Sequence, residues 1–399
     1  MMKEKKKHIV ILTGQHVSAN PRVWKEANAL VKFGYAVTIL TTWYSLEKLE
    51  EDKKLLDQSV IYKPAVNLIK SLGAWGDTIF SRFVVKMAFG VKRFLNLDSE
   101  FLLIHRPNKQ FKLALTEQAD LYISHQESGL VTGCKLLKQK KKVAFDFEDW
   151  YSEDYVSKTR AVSLLKKKEK EAFQNGCYCS FPSESMRDAF FKAYSLAQKT
   201  AIIYNSFPDE NNSSDSEFIA RRKKSLVWFS QVIGPGRGLE SLILALNHID
   251  EKIELHLLGQ INTKYKESLI SFLHKRHELF FYEPIPHNEI NKFLSSFQIG
   301  LAIENKFPES RNVTVTNKIL QYIQAGNFVF ATATKGQSEI ARALPQNVYL
   351  ESGEDVESWA QGIRHLLNLA NADSKVPNNA LNYFSWALQE KKLTQLIEC

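Results

Sequence analysis

Short apolar runs alternate with stretches of helical periodicity, and the alternation occurs twice. The first set comprises HIVILT (8–13), YAVTILTT (35–42), LYIS (121–124), KVAFDF (142–147), CYCSF (177–181) and AIIYN (201–205). Helical patterns fall between them, as in Asn20–Phe33, 128–139 and 160–175. The second set comprises SLVWFS (225–230), IELHLLG (253–259), HELFFYE (277–283), FQIGLAIE (297–304), NFVFATA (327–333) and NVYLES (347–352). Nearly continuous apolar strands separated by helices predict parallel sheets covered on both faces. A chain of 399 residues is long for one core and comfortable for two. The polar stretch 206–224 separates the sets and reads as a linker. The expected division is therefore 1–205, a linker 206–224, a second domain 225–378 and a terminal helix 379–399. Two open parallel α/β sheets of this kind bind ligands beyond the carboxyl ends of their strands.

The formal charge is +9, with lysines and arginines spread along the chain. Neither a zinc finger nor an aromatic RNA-binding pattern is present, which argues against a nucleic-acid partner. Phosphorylated substrates or an anionic bilayer make better use of the charge. Cysteines stand at 134, 177, 179 and 399, without metal-pair spacing or a nearby histidine cluster, so no metal site is expected. This sparse usage fits a reducing compartment. The basic start MMKEKKK precedes a strand-like run too short to span a membrane. The expected location is cytoplasmic.

Segment 75–97 interrupts the alternation. Ile79, Phe83, Val84, Met87, Val91 and Phe94 share it with Arg82, Lys86, Lys92 and Arg93. It reads as a basic amphipathic helix. Two roles stand open, packing on the first sheet or contact with the inner face of a membrane.

Four stretches carry a family resemblance: TGQHVSANPRVWKEANALVKFGYAVTILT (13–41), ADLYISHQ (119–126), VWFSQVIGPGRGLESLILAL (227–246) and NKILQYIQAG (317–326). In their order and spacing the chain resembles the family 4 retaining glycosyltransferases of the GT-B fold. The terminal FSWALQEKKLTQLIE (384–398) is similar to that family's last helix, which crosses back to the first domain. The resemblance implies two Rossmann-like domains with a cleft between them. It also implies a nucleotide-diphosphate sugar as donor substrate, no cofactor and no metal. A glycan or lipid-linked acceptor in surface polysaccharide synthesis would receive the sugar.

The candidate site residues follow from both readings. Gly14 ends the first strand, where a missing Cβ lets backbone approach a substrate. The resemblance puts this loop near the donor sugar and phosphates, with Gln15, His16 and Ser18 beside it. Asn20 can cap the next helix with Pro21 at its first position, and Arg22 is a candidate for an acceptor phosphate. His125 stands at a strand end, and the resemblance puts it beside the reacting sugar; His105 is a weaker candidate. Asp146, Glu148 and Asp149 form an acidic cluster after another strand, suited to orienting an acceptor hydroxyl or to base chemistry. Positioning is the role expected of them.

Arg237, in GPGRG at a helix start, can face phosphate oxygens together with backbone N–H groups. Lys318 is the second cationic candidate, and Asn317 can shape the loop 305–316 over the donor. The chain departs from the resemblance at Gln231, where a basic pair is usual, and at Val313 and Gln321, where paired glutamates are usual. Gln321 can still hydrogen-bond ribose hydroxyls. Glu304 and Glu309 lie near enough in sequence to reach the donor sugar, and EPIP (283–286) can meet the base. The alternatives are a non-catalytic GT-B-like nucleotide-sugar-binding or scaffold protein and a non-hydrolysing nucleotide-sugar 2-epimerase.

Overall fold

The computed structural model describes residues 6–154, 159–195, 199–208, 223–353, 355–371 and 382–398. The chain divides into two compact units. One comprises Met1–Pro182, Met186–Ile203 and Glu390–Cys399; the other comprises Ser183–Ser185 and Tyr204–Gln389. Most of the expected linker, and the expected boundary at 378, lie outside the described residues.

The first unit holds a seven-stranded sheet made of β1 (His8–Leu12), β2 (Ala36–Trp43), β3 (Ile61–Asn67), β4 (Leu121–His125), β5 (Val143–Asp146), β6 (Cys179–Phe181) and β7 (Thr200–Ile202). Their order is β3-β2-β1-β4-β5-β6-β7, and the strand pairs are parallel. Central strands β1, β4 and β5 are buried almost throughout, as helices on both faces require. The sequence reading missed β3. Its run IYKPAVN contains Pro64, which removes a ladder donor and is tolerated because β3 lies at the edge. The register with β2 shifts between Thr41 and Thr42, next to that proline's partner.

The second unit holds a six-stranded parallel sheet: β8 (Ser225–Ile233), β9 (Glu254–Ile261), β10 (Glu278–Tyr282), β11 (Ile299–Ala302), β12 (Phe328–Thr332) and β13 (Val348–Glu351). The order is β10-β9-β8-β11-β12-β13. Leu226 and Trp228 of β8, Leu255 and Leu257 of β9, and Phe328 and Phe330 of β12 build its core with Trp359 and Ile363. Two α/β units with parallel sheets are what the doubled sequence pattern predicts.

Candidate functional site

Each sheet has a point at which successive strands stop extending one way and begin extending the other. In the first unit it falls between β1 and β4, in the second between β8 and β11. The loops leaving two such strands diverge and open a crevice at their carboxyl ends. The candidate residues gather at these two places.

In the first unit, Gly14 leaves β1 and Gln126 leaves β4. The Gln126 Oε1 accepts from the Thr13 hydroxyl (2.8 Å) and the Gly14 N–H (3.2 Å), tying the two loops together. Gln126 adopts φ +59°, a left-handed conformation that non-glycine residues hold only where the surroundings impose it. A Cβ on Gly14 would lie 2.4 Å from the Ser128 hydroxyl oxygen, so the close approach admits only glycine. Beside this junction is a cavity of about 620 Å³, bordered by Gly14, Gln126, Glu148, Asp149, Tyr151 and Arg160 among others. His105 borders it too, and burial lowers that imidazole's pKa.

Behind the cavity wall is a buried ion-pair network. His125, at the end of β4, is fully buried; its Nδ1 donates to Glu148 (2.7 Å) and its Nε2 to Glu26 (2.6 Å). Burial by itself would lower this imidazole's pKa. Glu26, Glu148 and Asp146 overcome that and push it up to about 10, so the ring is an imidazolium. Asn20 caps the helix Pro21–Lys32 and donates through Nδ2 to both Glu148 oxygens (2.9 and 2.8 Å). Arg22, expected at an acceptor phosphate, instead donates through Nε to both Asp146 oxygens at 2.8 Å and through Nη1 to the Ile203 carbonyl at 2.5 Å. The strand register explains the gathering, because His125 of β4 pairs with Asp146 of β5.

Three atoms of Glu26, His125 and Asp146 lie within 4.8 Å of one another, near enough to share a cation. Their charge is already met by Arg22 and the imidazolium, which makes the trio an ion-pair network.

These contacts separate the acidic cluster into roles that the sequence could not divide. Asp146 is buried against Arg22, and Glu148 is held by His125 and Asn20. Asp149 is exposed at the cavity. Desolvation, together with the like charges of Glu148 and Asp154, pushes its carboxyl up to about 7 against the opposing pull of Arg160. His16 is likewise structural. Its Nε2 accepts from the Tyr44 and Ser45 N–H groups (3.0 and 3.2 Å), which fixes Nδ1 as the donor to Asp52 at 2.5 Å. Burial would raise the Asp52 carboxyl, but hydrogen bonds from His16, Tyr62 and Ser18 lower it.

In the second unit, β8 runs into the glycine loop 234–238, and Gly238 caps the helix Leu239–Asn247 at φ +77°. A side chain there would be strained, and its Cβ would lie 2.5 Å from Ile303. Arg237 is half-buried and forms no hydrogen bond or ion pair among the described residues. Across the switch point, Asn305 donates to the Gly236 carbonyl (3.0 Å), joining the loops after β8 and β11. Lys318 pairs with Glu304 at 2.7 Å and lies 5.2 Å from the Trp228 ring centre. The backbone of Glu304 is fixed by the Thr332 hydroxyl, which donates to its carbonyl and accepts from its N–H, both at 2.8 Å.

Asn317 opens the helix Asn317–Gln324, and Gln321 follows Lys318 by three residues, on the same face. Glu304 and Lys318 thus meet, while Gln321, one turn further along the helix, is buried. Glu309 does not join them, being held by Lys335 (2.6 Å) and Asn312 (2.9 Å). Burial would raise its pKa, but those two partners lower it. Val313 is buried and could not serve as a polar ligand.

Glu26, Arg160 and Asp154 were missed by the sequence reading. A signal existed for Glu26, which follows Arg22 by four residues and so shares its helix face.

No protein-family model and no curated protein matches the chain. Solved structures do. Sucrose-phosphate synthase from Thermosynechococcus elongatus is similar at 13% identity and a TM-score of 0.68, covering 98% of each chain. Anabaena Alr3699/HepE, solved in complex with UDP and glucose, matches at 14% identity and a TM-score of 0.67, over 98% of this chain and 99% of that one. The UDP-GlcNAc 2-epimerase from Neisseria meningitidis, bound to UDP-GlcNAc, matches at 11% identity and a TM-score of 0.61, with 98% and 99% covered. Likeness at this identity concerns the fold, and with the two sheets described above it makes this a GT-B fold.

Proposed function

We propose that the protein is a glycosyltransferase of the family 4 type, moving a sugar with retention from a nucleotide-diphosphate donor to a glycan or lipid-linked acceptor in surface polysaccharide synthesis. The observation that carries the reading is the second unit's switch point. A glycine loop, a helix N-terminus and Arg237, unpaired among the described residues, meet there, with the Glu304–Lys318 pair beyond the adjoining strand and Gln321 one turn along its helix. Backbone N–H groups and a guanidinium suit a diphosphate, whose charge grows as it leaves. In this reading Lys318 adds charge to the same anion and Gln321 hydrogen-bonds the ribose.

The first unit's cavity then receives the acceptor. Asp149 accepts a hydrogen bond from the attacking hydroxyl, and the His125 network keeps Glu148 and the cavity wall rigid. With its pKa near 7, Asp149 accepts best when ionised. Acceptor kcat/KM is therefore expected to fall as pH drops below about 7, and Asp149→Asn should lower it and flatten that limb. An unchanged profile in Asp149→Asn would remove this role.

Incubation with a panel of nucleotide sugars tests the whole reading. Saturable donor binding, with nucleoside diphosphate released on adding acceptor, is expected. Failure to bind any donor would sink it. Binding without release favours the scaffold alternative, which draws on Gln231, Val313 and Gln321. The 2-epimerase alternative, suggested by the likeness to the Neisseria enzyme, predicts a donor epimerised at C2 with no acceptor present. Proton NMR of the donor distinguishes it.

A further inference from the structure

The helix Trp75–Leu95 is packed inside out. Its buried positions are Thr78, Ser81, Ala88 and Lys92, and its outward side carries Trp75, Ile79, Phe80, Phe83, Met87 and Phe94. Positions 75, 79, 83, 87 and 94 form one stripe at helical spacing. Phe83 is 63% exposed and Phe94 is 82% exposed. Leu95 and Leu97 extend the apolar surface past the helix end. Packing on the sheet would put the apolar stripe inward. The buried face instead uses small side chains and polar ones whose bonds are made within the protein. Thr78 donates to the Ala74 carbonyl at 2.8 Å, and Lys92 pairs with Asp98 at 2.6 Å. A contiguous exposed apolar patch of this kind marks a surface that meets something else.

The charges around the stripe identify the partner. Arg82, Lys86 and Arg93 are exposed on the same helix and have no acidic partner among the described residues. Lys70 lies over the Trp75 ring at 4.8 Å, and Arg106 over the Phe80 ring at 4.2 Å. Next to the helix is a second cavity of about 370 Å³, lined by Phe80, Phe101, Arg106, Pro107, Lys109 and Lys112. Asp77 pairs with Arg106 and Lys109, which leaves Lys112 unpaired among the described residues. Cations thus rim an apolar face, with a cationic hollow large enough for a phosphate headgroup.

We propose that this face docks on an anionic lipid bilayer, the apolar stripe entering the headgroup boundary and the cations meeting lipid phosphates. A second copy of the chain fits the face less well, since a two-fold contact would set Arg82, Lys86 and Arg93 close to their own copies. Among the described residues no helix is long and apolar enough to cross a membrane. The inference does not depend on the glycosyl-transfer reading.

The test is sedimentation of the whole protein with vesicles of phosphatidylcholine alone or mixed with phosphatidylglycerol. Binding is expected only to the mixed vesicles and should weaken as salt rises. Arg82→Gln with Lys86→Gln should weaken it by roughly fivefold per charge removed. Phe83→Ser with Phe94→Ser should weaken it on the order of tenfold or more per side chain. Circular dichroism and thermal unfolding of these variants should match wild type, because the substituted side chains are exposed. Brominated lipid should quench a fluorescence component that Trp75→Phe removes.

Equal binding to both vesicle types, or binding to neither, would overturn the proposal. So would a wild-type dimer that Phe83→Ser with Phe94→Ser turns into a monomer in sedimentation velocity, which would assign the face to a second copy. Donor binding, measured in parallel, should be unaffected by these variants, so failure here is distinct from failure of the proposed activity.

Discussion

Replacing His125 with alanine is expected to lower the unfolding free energy by about 3–5 kcal/mol, the range for removing one partner of a buried ion pair. The imidazolium hydrogen-bonds both Glu26 and Glu148, at 2.6 and 2.7 Å. Without it, two carboxylates lose their shared hydrogen-bond donor; Asn20 still donates to Glu148, and Arg22 is a nearby cation already committed to Asp146. Most of the cost is then uncompensated charge rather than lost volume. Urea denaturation at neutral pH measures it, and adding Glu26→Gln to the alanine variant should recover part of the loss. No recovery would show that cavity formation, not charge, sets the penalty.

The pH dependence follows from the direction of the shift. The pKa rises from 6.5 to about 10 on folding, so the native state holds its proton more tightly than the unfolded chain. The stabilisation is complete below about 6.5, is lost as pH rises towards 10, and is absent above it. The gap between wild type and His125→Ala should narrow over that interval. A gap independent of pH would mean the ring is neutral in the native state.

The same network shows how far the sequence could be read. Apolar runs bounded by glycine and polar residues marked the strand ends, and thus put His125, Asp146 and Gly14 at the mouth of one sheet. That inference is local and needs only periodicity. Which partner each side chain chooses is not local. Glu26 and His125 are 99 residues apart, and their contact depends on how the helix Pro21–Lys32 lies against the sheet. A histidine expected to address a sugar is instead enclosed by two carboxylates, and an arginine expected at a phosphate closes on Asp146.

The second unit divides in the same way. Glu304, at the end of a strand run, and Lys318, near a helix start, were both legible as polar candidates, but their pairing was not. Glu309 looked equivalent to Glu304 in sequence, yet the short helix Glu309–Val313 turns it towards Lys335. The missed strand β3 has a different cause: Pro64 masks the pattern, and only its edge position makes the proline acceptable.

Arg237 supplies the second large effect, and its value as a test lies in having no hydrogen-bond or ion-pair partner among the described residues. If the glycine loop holds a donor diphosphate, Arg237→Ala should reduce kcat/KM for the nucleotide sugar on the order of a hundredfold. Unfolding free energy should change by no more than about 0.5 kcal/mol, since no hydrogen bond or ion pair is lost among the described residues. Arg237→Lys should retain part of the activity, keeping charge while losing the planar fork that meets two oxygens.

Lys318→Ala is the instructive contrast. It strands the Glu304 carboxylate, which is nearly nine-tenths buried at 11% exposure, so both stability and donor binding should fall together. Isothermal titration with a nucleoside diphosphate, run alongside urea denaturation, separates the two cases. Unchanged diphosphate affinity in Arg237→Ala would leave the guanidinium without a role in donor binding. The phosphate site would then have to rest on the helix N-terminus and Lys318 alone, with Glu304 already neutralising much of that lysine's charge.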